Sequence, residues 1–192
     1  MGATFPLIVG ISGASGAIYG VRLLEALHAN KIPAHLVVSK SAALTLKEEM
    51  GLAIEKVRAL ADATYQNTDI GAAISSGSFK TRGMVIIPCS IRTLSDIAYG
   101  TTDSLLSRAA DVTLKERRRL VLVVREAPLH AGHLRSMLTA TEAGAIIAPP
   151  VPAFYPRPQT IDDIVNHTVG RCLDLFDIDA GLVKRWRAET GG

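Results

Sequence analysis

The chain alternates short apolar runs with amphipathic stretches of helical period. Leu7-Ile8-Val9 leads into Gly10-Ile11-Ser12-Gly13-Ala14-Ser15-Gly16, and Val21, Leu23, Leu24 and Leu27 follow at helical spacing. That order predicts a strand over 6–11, a glycine turn and a helix over 16–29. The alternation continues with strand 34–39, helix 41–50, a helical patch at 54–61 and strand 83–88. Short helices at 93–99 and 104–114, strand 119–124, helix 130–143, strand 145–148 and helix 160–175 complete it. Residues 65–82 read as a looser stretch rich in Gly, Ser and Thr, and 149–158 as a Pro-rich connection. A short helix over 181–188 carries the single Trp.

Successive strand–helix units predict an α/β fold, an open flavodoxin/Rossmann-like parallel sheet with right-handed crossovers and helices on both faces. Ligands of such sheets sit outside the carboxyl ends of the strands. Four polar clusters fall there: 12–15, 39–40, 90–93 and 125–126. With no repeat or linker, residues 1–192 are expected to form one domain.

Glycines at 10, 13 and 16 let backbone approach a ligand that a Cβ would exclude. Ser15 either caps the following helix or hydrogen-bonds that ligand. The spacing is not G-x-G-x-x-G, and the second strand ends Val37-Val38-Ser39-Lys40 with no acidic residue. A neutral Ser39 argues against the ribose diol of NAD and leaves room for a flavin mononucleotide.

Composition narrows the setting. The chain has 192 residues, enough for a sizeable core, and 48% of them are hydrophobic. Mean hydropathy is +0.25, yet no apolar stretch reaches the roughly 18–20 residues of a membrane span. The first residues lack the basic start, long apolar core and cleavage site of a leader and read as a strand. The surplus of apolar residues points to buried parallel strands and subunit interfaces, hence a cytoplasmic homo-oligomer. A net charge of +3 with 5% aromatics does not suit a nucleic-acid partner. Cys89 and Cys172 suit a reducing compartment and make no disulfide framework. The run Lys115-Glu116-Arg117-Arg118-Arg119 reads as a solvated helix end, or else turns one cation toward an anionic ligand.

Several residues carry candidate chemistry, each with a plainer alternative. Ser90-Ile91-Arg92-Thr93 offers two hydroxyls and free amides at a helix start, a phosphate cradle or an ordinary Ser90 cap. Arg125-Glu126 at a strand end is a surface ion pair or a cation beside a general acid. Glu49, beside Glu48 late in a helix, reads from its position as solvent-facing. Arg108, Lys115, Tyr155 and Arg171 are the groups that would grip a phosphate monoester, although spacing alone does not unite them. His130 and His133 share a helix face without further ligands, so zinc is not expected. Cys89 has no matching histidine and reads as a small buried residue.

From Gly10 to about Trp186 the sequence resembles the flavin prenyltransferases (the UbiX family), within the wider group of homo-oligomeric flavin-containing proteins. The resemblance rests on Gly-Ile-Ser-Gly-Ala-Ser-Gly-Ala-Ile-Tyr-Gly at 10–20, Ser-Ser-Gly-Ser at 75–78 and Pro-Cys-Ser at 88–90. It extends through Arg-Ala-Ala-Asp-Val-Thr-Leu-Lys-Glu-Arg-Arg at 108–118, Arg-Glu-Ala-Pro-Leu at 125–129 and Pro-Ala-Phe-Tyr at 152–155. The resemblance implies a flavodoxin-like fold, a dodecamer and a metal-independent reaction. In that reaction reduced FMN is alkylated by dimethylallyl phosphate at N5 and closed at C6. The product, prenylated FMN, would serve a partner decarboxylase, typically in ubiquinone biosynthesis. By position, FMN contacts fall on Gly13, Ala14, Ser15, Ser39, Ser90, Ile91, Arg92, Thr93 and Arg125. Prenyl-phosphate contacts fall on Tyr155 and Arg171, with Arg108 and Lys115 completing the anion site, and proton handling falls on Ser15, Glu49 and Glu126. Some relatives place a Trp before Ser75, where Thr68-Asp69-Ile70 has none. A flavin-dependent peptidyl- or pantothenoyl-cysteine decarboxylase is the alternative within the wider group, but its Asn-bearing motif and Met-Asn clamp are missing. A flavin-storing protein without chemistry is a third reading, and the cations with Glu126 exceed what storage needs.

Overall fold

A computed structural model describes residues 5–186. Six parallel strands form one sheet: β1 (Leu7–Ile11), β2 (Ala34–Val38), β3 (Ala63–Gln66), β4 (Gly83–Cys89), β5 (Arg119–Val124) and β6 (Ile146–Ile147). Helices α1 (Ala17–Ala29), α2 (Lys40–Met50), α3 (Ile54–Arg58), α4 (Ile91–Ala98), α5 (Leu105–Lys115), α6 (Ala131–Glu142) and α7 (Ile161–Asp174) connect and flank it. The strand order is β3-β2-β1-β4-β5-β6, so the chain reverses direction across the sheet between β1 and β4. Their register pairs Leu7 with Gly83 and Gly10 with Ile86. At such a reversal the loops leaving the two central strands diverge and open a crevice at the carboxyl edge.

Side chains of a strand alternate between faces, and here both faces are buried. Leu7, Val9 and Ile11 of β1, Val85 and Ile87 of β4, and Val121 and Val123 of β5 join the core beneath α1 and α7. Ile8, Met84, Ile86, Leu120, Leu122 and Val124 point the other way and pack with Leu94, Leu105, Leu106 and Ala140 of α4, α5 and α6. Unbroken apolar strands are what this double burial requires, which explains the runs seen in the sequence.

The predicted elements are present with ends shifted by one to three residues, except in two places. Residues 63–66, which run into the stretch read as loose over 65–82, form edge strand β3 on β2, followed by a 3-10 turn at Ala73–Ser75. β3 is four residues long and half polar (Thr64, Gln66), so no apolar run marked it. The helix expected over 181–188 is not formed over 181–186, and residues 187–188 lie outside the described residues. Instead this segment lies along α7, with Leu182 and Val183 against Gly170 and Arg185 bonded to Asp174. Tertiary packing and an ion pair outweigh a weak local helical preference there.

The basic run is solvated, as expected of a helix end, at Lys115, Glu116, Arg117 and Arg119, which are exposed, and departs from that expectation at Arg118. Arg118 is largely buried and donates to the carbonyls of Phe79 (2.7 Å) and Gly77 (2.7 Å), tying down the Ser75-Ser76-Gly77-Ser78 loop. Arg119 bridges to Asp177 at 3.0 Å. Among the described residues no helix is long and apolar enough to cross a membrane.

Candidate functional site

Ser12 joins the two central strands where they diverge. Its hydroxyl is buried, donates to Pro88 O at 2.9 Å and accepts from Ser90 N at 2.7 Å. The residue after β4 is thereby fixed against the residue after β1. Ser90 caps α4, its Oγ accepting from Thr93 N at 3.3 Å and donating to Thr93 Oγ1 at 3.1 Å. Ser39 caps α2 in the same way, accepting from Ala42 N at 3.1 Å. Both serines, with Lys40, Arg92 and Thr93, line a cavity of about 430 Å³ between the starts of α2 and α4. Ile91, the first residue of α4, is half-buried. Gly13 approaches Ser41 so closely that a Cβ would lie 2.3 Å from its hydroxyl.

Capping and ligand binding are compatible in this arrangement, because a cap uses only one of the free amides of a helix start. Two helix N-termini, two serine hydroxyls and the cations of Lys40 and Arg92 around one cavity favour an anionic group. Asp96 and Asp103 line the same cavity and match its two cations in number. Burial pushes the Asp96 carboxyl up; Arg92 opposes this and Asp103 adds to it.

A second cluster stands at the start of α1. Gly16 takes the left-handed conformation (φ 98°) and has no side chain with which to cap the helix. Glu49 supplies the missing acceptor from the last turn of α2. Its Oε2 takes Gly16 N and Ala17 N, both at 2.9 Å, and Oε1 takes Gly16 N at 3.2 Å. Partial burial pushes this carboxyl up, but the Ser15 hydroxyl, the amides of Ala17 and Gly16 and the Arg125 charge together hold it below its ordinary value. Glu49 is therefore an anion at neutral pH, bound to the positive end of α1 rather than facing solvent alone. Arg125 follows β5 and also bears on Tyr19, whose phenol burial raises against the pull of that charge. Ser15 is exposed and Ala14 buried beside it.

Glu126 is exposed and, among the described residues, accepts only from the neighbouring Ala127 amide, at 3.1 Å. No ion pair joins it to Arg125 among the described residues, so the surface-pair reading of these two is not supported.

The expected prenyl-phosphate residues lie elsewhere in the chain. Tyr155 and Arg171 line a separate cavity of about 350 Å³ with Pro149, Val151 and Cys172, between the Pro-rich connection and α7. Tyr155 Oη shares a hydrogen with His167 Nε2 at 2.9 Å, and Arg171 bonds Asp174 at 2.6 Å. Arg108 pairs with Asp111 (2.8 Å) and Lys115 with Glu116 (2.6 Å) on α5. Lys115 lies only four residues before Arg119, the first residue of β5, and so stands at the amino edge of the sheet. One chain thus gathers the flavin-type residues at the carboxyl rim but does not bring Tyr155, Arg171, Arg108 and Lys115 together with them.

Burial pushes the Cys89 thiol far up, and that of Cys172 to about 12, so neither is a nucleophile. His130 and His133 stack at 3.6 Å, with His130 Nδ1 accepting from Gly132 N. Among the described residues no cluster of three His, Cys, Asp or Glu side chains is placed to hold a metal. The sequence reading missed Ser12 as the link between strands and Glu49 as the cap of α1. A helix start at Gly16 with no capping side chain was the available signal for the latter.

Comparison with known proteins shows the family. The flavoprotein family profile matches residues 2–173. A flavin prenyltransferase UbiX from Escherichia coli (strain K12) is 61% identical over 184 residues, covering 94% of this chain and 97% of that protein. The crystal structure of AnUbiX (PadA1) in complex with FMN and dimethylallyl pyrophosphate superposes with a TM-score of 0.94 at 50% identity, covering 96% of this chain and 98% of that chain. A dodecameric FMN-dependent Ubix-like decarboxylase from Escherichia coli O157:H7 gives a TM-score of 0.92 at 49% identity, covering 94% and 98%.

Proposed function

This chain belongs to the flavoprotein family and within it to the flavin prenyltransferases, and from that premise we propose which of its residues carry the reaction and how copies share it. The enzyme transfers a dimethylallyl group to reduced FMN; we take the donor to be dimethylallyl phosphate, and the related AnUbiX structure holds dimethylallyl pyrophosphate. Reduced FMN supplies the nucleophilic N5 and C6 positions, and the product is prenylated FMN. The observation that carries the residue assignment is the meeting of two sites at the β1/β4 crevice: a polar cavity at two helix starts, and a carboxylate held at a third.

The cavity suits FMN in size, and its cations and free helix amides stand on the side of Ser39 and Ser90. Ser90, Thr93, Arg92 and the first amides of α4, from Ile91 on, receive its phosphate. Ser39, Gly13 and Ala14 give the flanking surface, and Arg125 with Ser15 reaches the ring edge. Glu49, ionised and tied to the Ser15 hydroxyl, is the acceptor end of a short proton relay. Glu126, exposed in one chain, donates a proton to the departing phosphate only where a neighbouring copy buries it and keeps it protonated. Tyr155, Arg171, Arg108 and Lys115 hold that phosphate and stabilise its charge as the allylic C–O bond breaks.

Since one chain holds these groups apart, the site is assembled between copies. Leu134 and Leu138 on α6, Val151, Phe154 and Ile161 are all more than half exposed in a single chain, apolar area that assembly would cover. The relative from Escherichia coli O157:H7 is dodecameric, and we assign the same assembly here. The free thiols suit a cytoplasmic setting, where a prenylated-FMN-dependent decarboxylase, typically of ubiquinone biosynthesis, receives the product. Phosphate release tests the reaction: dimethylallyl phosphate should yield inorganic phosphate with reduced FMN and none with oxidised FMN. Equal release in both cases would make this a phosphatase.

A further inference from the structure

Tyr155 belongs to an irregular segment that leaves its neighbours Val151 and Phe154 in solvent. Backbone structure therefore does little to aim its phenol, and side chains do so instead. His167 Nε2 lies 2.9 Å from the phenol oxygen, with the rings edge-on at 5.4 Å and 82°. The Trp186 ring also meets the phenol edge-on, at 5.4 Å and 87°. His167 is one helical turn before Arg171 on α7, so the imidazole and the guanidinium share a face. Both line the 350 Å³ cavity, and His167 also forms part of the wall of a neighbouring cavity of about 310 Å³.

Resting on the reading that Tyr155 and Arg171 hold the prenyl phosphate, we propose that His167 is a positioning residue. It donates Nε2–H to the Tyr155 oxygen and leaves the phenol proton free for a phosphate oxygen. The phenol has one proton and two lone pairs. If it donated to His167, it could only present lone pairs to an anion, which repel. The reverse direction, imidazole to phenol to phosphate, makes each donor strengthen the next. Charged groups surround the imidazole: Arg171 and Asp174 on its own helix, Asp163 one turn earlier, and Arg157 and Lys184 across the adjoining cavity. Burial and then Arg171 lower its pKa against the opposing pull of Asp174, so the group at neutral pH is a neutral imidazole with a single N–H to place.

The test is steady-state kinetics on the full assembled protein. The variants are H167Q, H167L and Y155F, the double variant Y155F/H167L, and H167A in case Leu prevents assembly. FMN affinity is measured in parallel by fluorescence quenching. H167L, or H167A, should raise the KM for dimethylallyl phosphate about tenfold, the scale of one hydrogen bond leading to a charged acceptor. H167Q, which keeps a donor, should stay within about twofold, and FMN affinity should not move in any of them. In the Y155F background the loss of His167 should have no further effect. An unchanged KM in H167L and H167A, an equal rise with and without Tyr155, or no rescue by Gln overturns the inference. An unchanged KM in Y155F overturns the underlying assignment of Tyr155 itself.

Discussion

Replacing Glu49 by Gln removes one negative charge from the start of α1 while keeping an acceptor oxygen there. The structure gives the size of the effect. Two backbone amides, Gly16 and Ala17, donate to this carboxylate at 2.9 Å, and the helix has no other cap. Loss of a cap costs about 0.5–2 kcal/mol, and the helix-dipole share of a charge is about 0.3–1 kcal/mol. The side chain is exposed, so solvent screening favours the lower part of both ranges. Glu49→Gln should therefore cost about 0.5–1 kcal/mol and Glu49→Ala about 1–1.5 kcal/mol. The folded-state pKa lies below the ordinary 4.5, so the contribution is complete above that value and disappears as pH falls through the lowered one. Urea unfolding at fixed protein concentration, which holds the assembly equilibrium constant, should give a wild-type advantage that is flat from about pH 6 to 8. That advantage should fade below about pH 4. In the same samples turnover should drop by about 10²-fold, the usual scale for a lost proton acceptor, with FMN still bound. A variant as stable as wild type at neutral pH, or an advantage that persists undiminished in acid, would refute the cap.

Three further substitutions probe the assigned sites. Ser90→Asp puts a negative charge at the start of α4 and should release FMN at unchanged folding, read by flavin absorbance after gel filtration; retained flavin moves the phosphate elsewhere. Glu126→Gln should keep fold and FMN yet slow single-turnover adduct formation by at least about 10²-fold, and an unchanged rate removes Glu126 from the chemistry. Arg171→Ala should raise the KM for dimethylallyl phosphate far more than it weakens FMN binding, whereas equal loss of both would point to its bond with Asp174 as a structural one.

What the sequence conveyed depended on how local the signal was. Strands β1, β4 and β5 were legible because burial on both faces demands unbroken apolar runs. Residues at four strand ends could be placed on one rim for the same reason, since a parallel sheet aligns its carboxyl ends. β3 was hidden because an edge strand of four residues needs only Tyr65 turned inward. Glu49 looked solvent-facing because its partners, Gly16 and Ala17, are more than thirty residues away in sequence. Arg118 looked solvated because its acceptors are carbonyls of a loop about forty residues earlier. The separation of Tyr155 and Arg171 from the flavin rim was invisible for another reason: residue types that suit one phosphate carry no information about which copy of the chain supplies them.

The central claim is that this protein builds prenylated FMN. The most direct measurement is the mass spectrum of flavin extracted after anaerobic incubation of the assembled protein with reduced FMN and dimethylallyl phosphate. The flavin should gain one five-carbon unit in wild type. It should remain plain FMN in Glu126→Gln over the time in which wild type reacts fully. Unmodified FMN from wild-type protein that has bound both ligands would contradict the account.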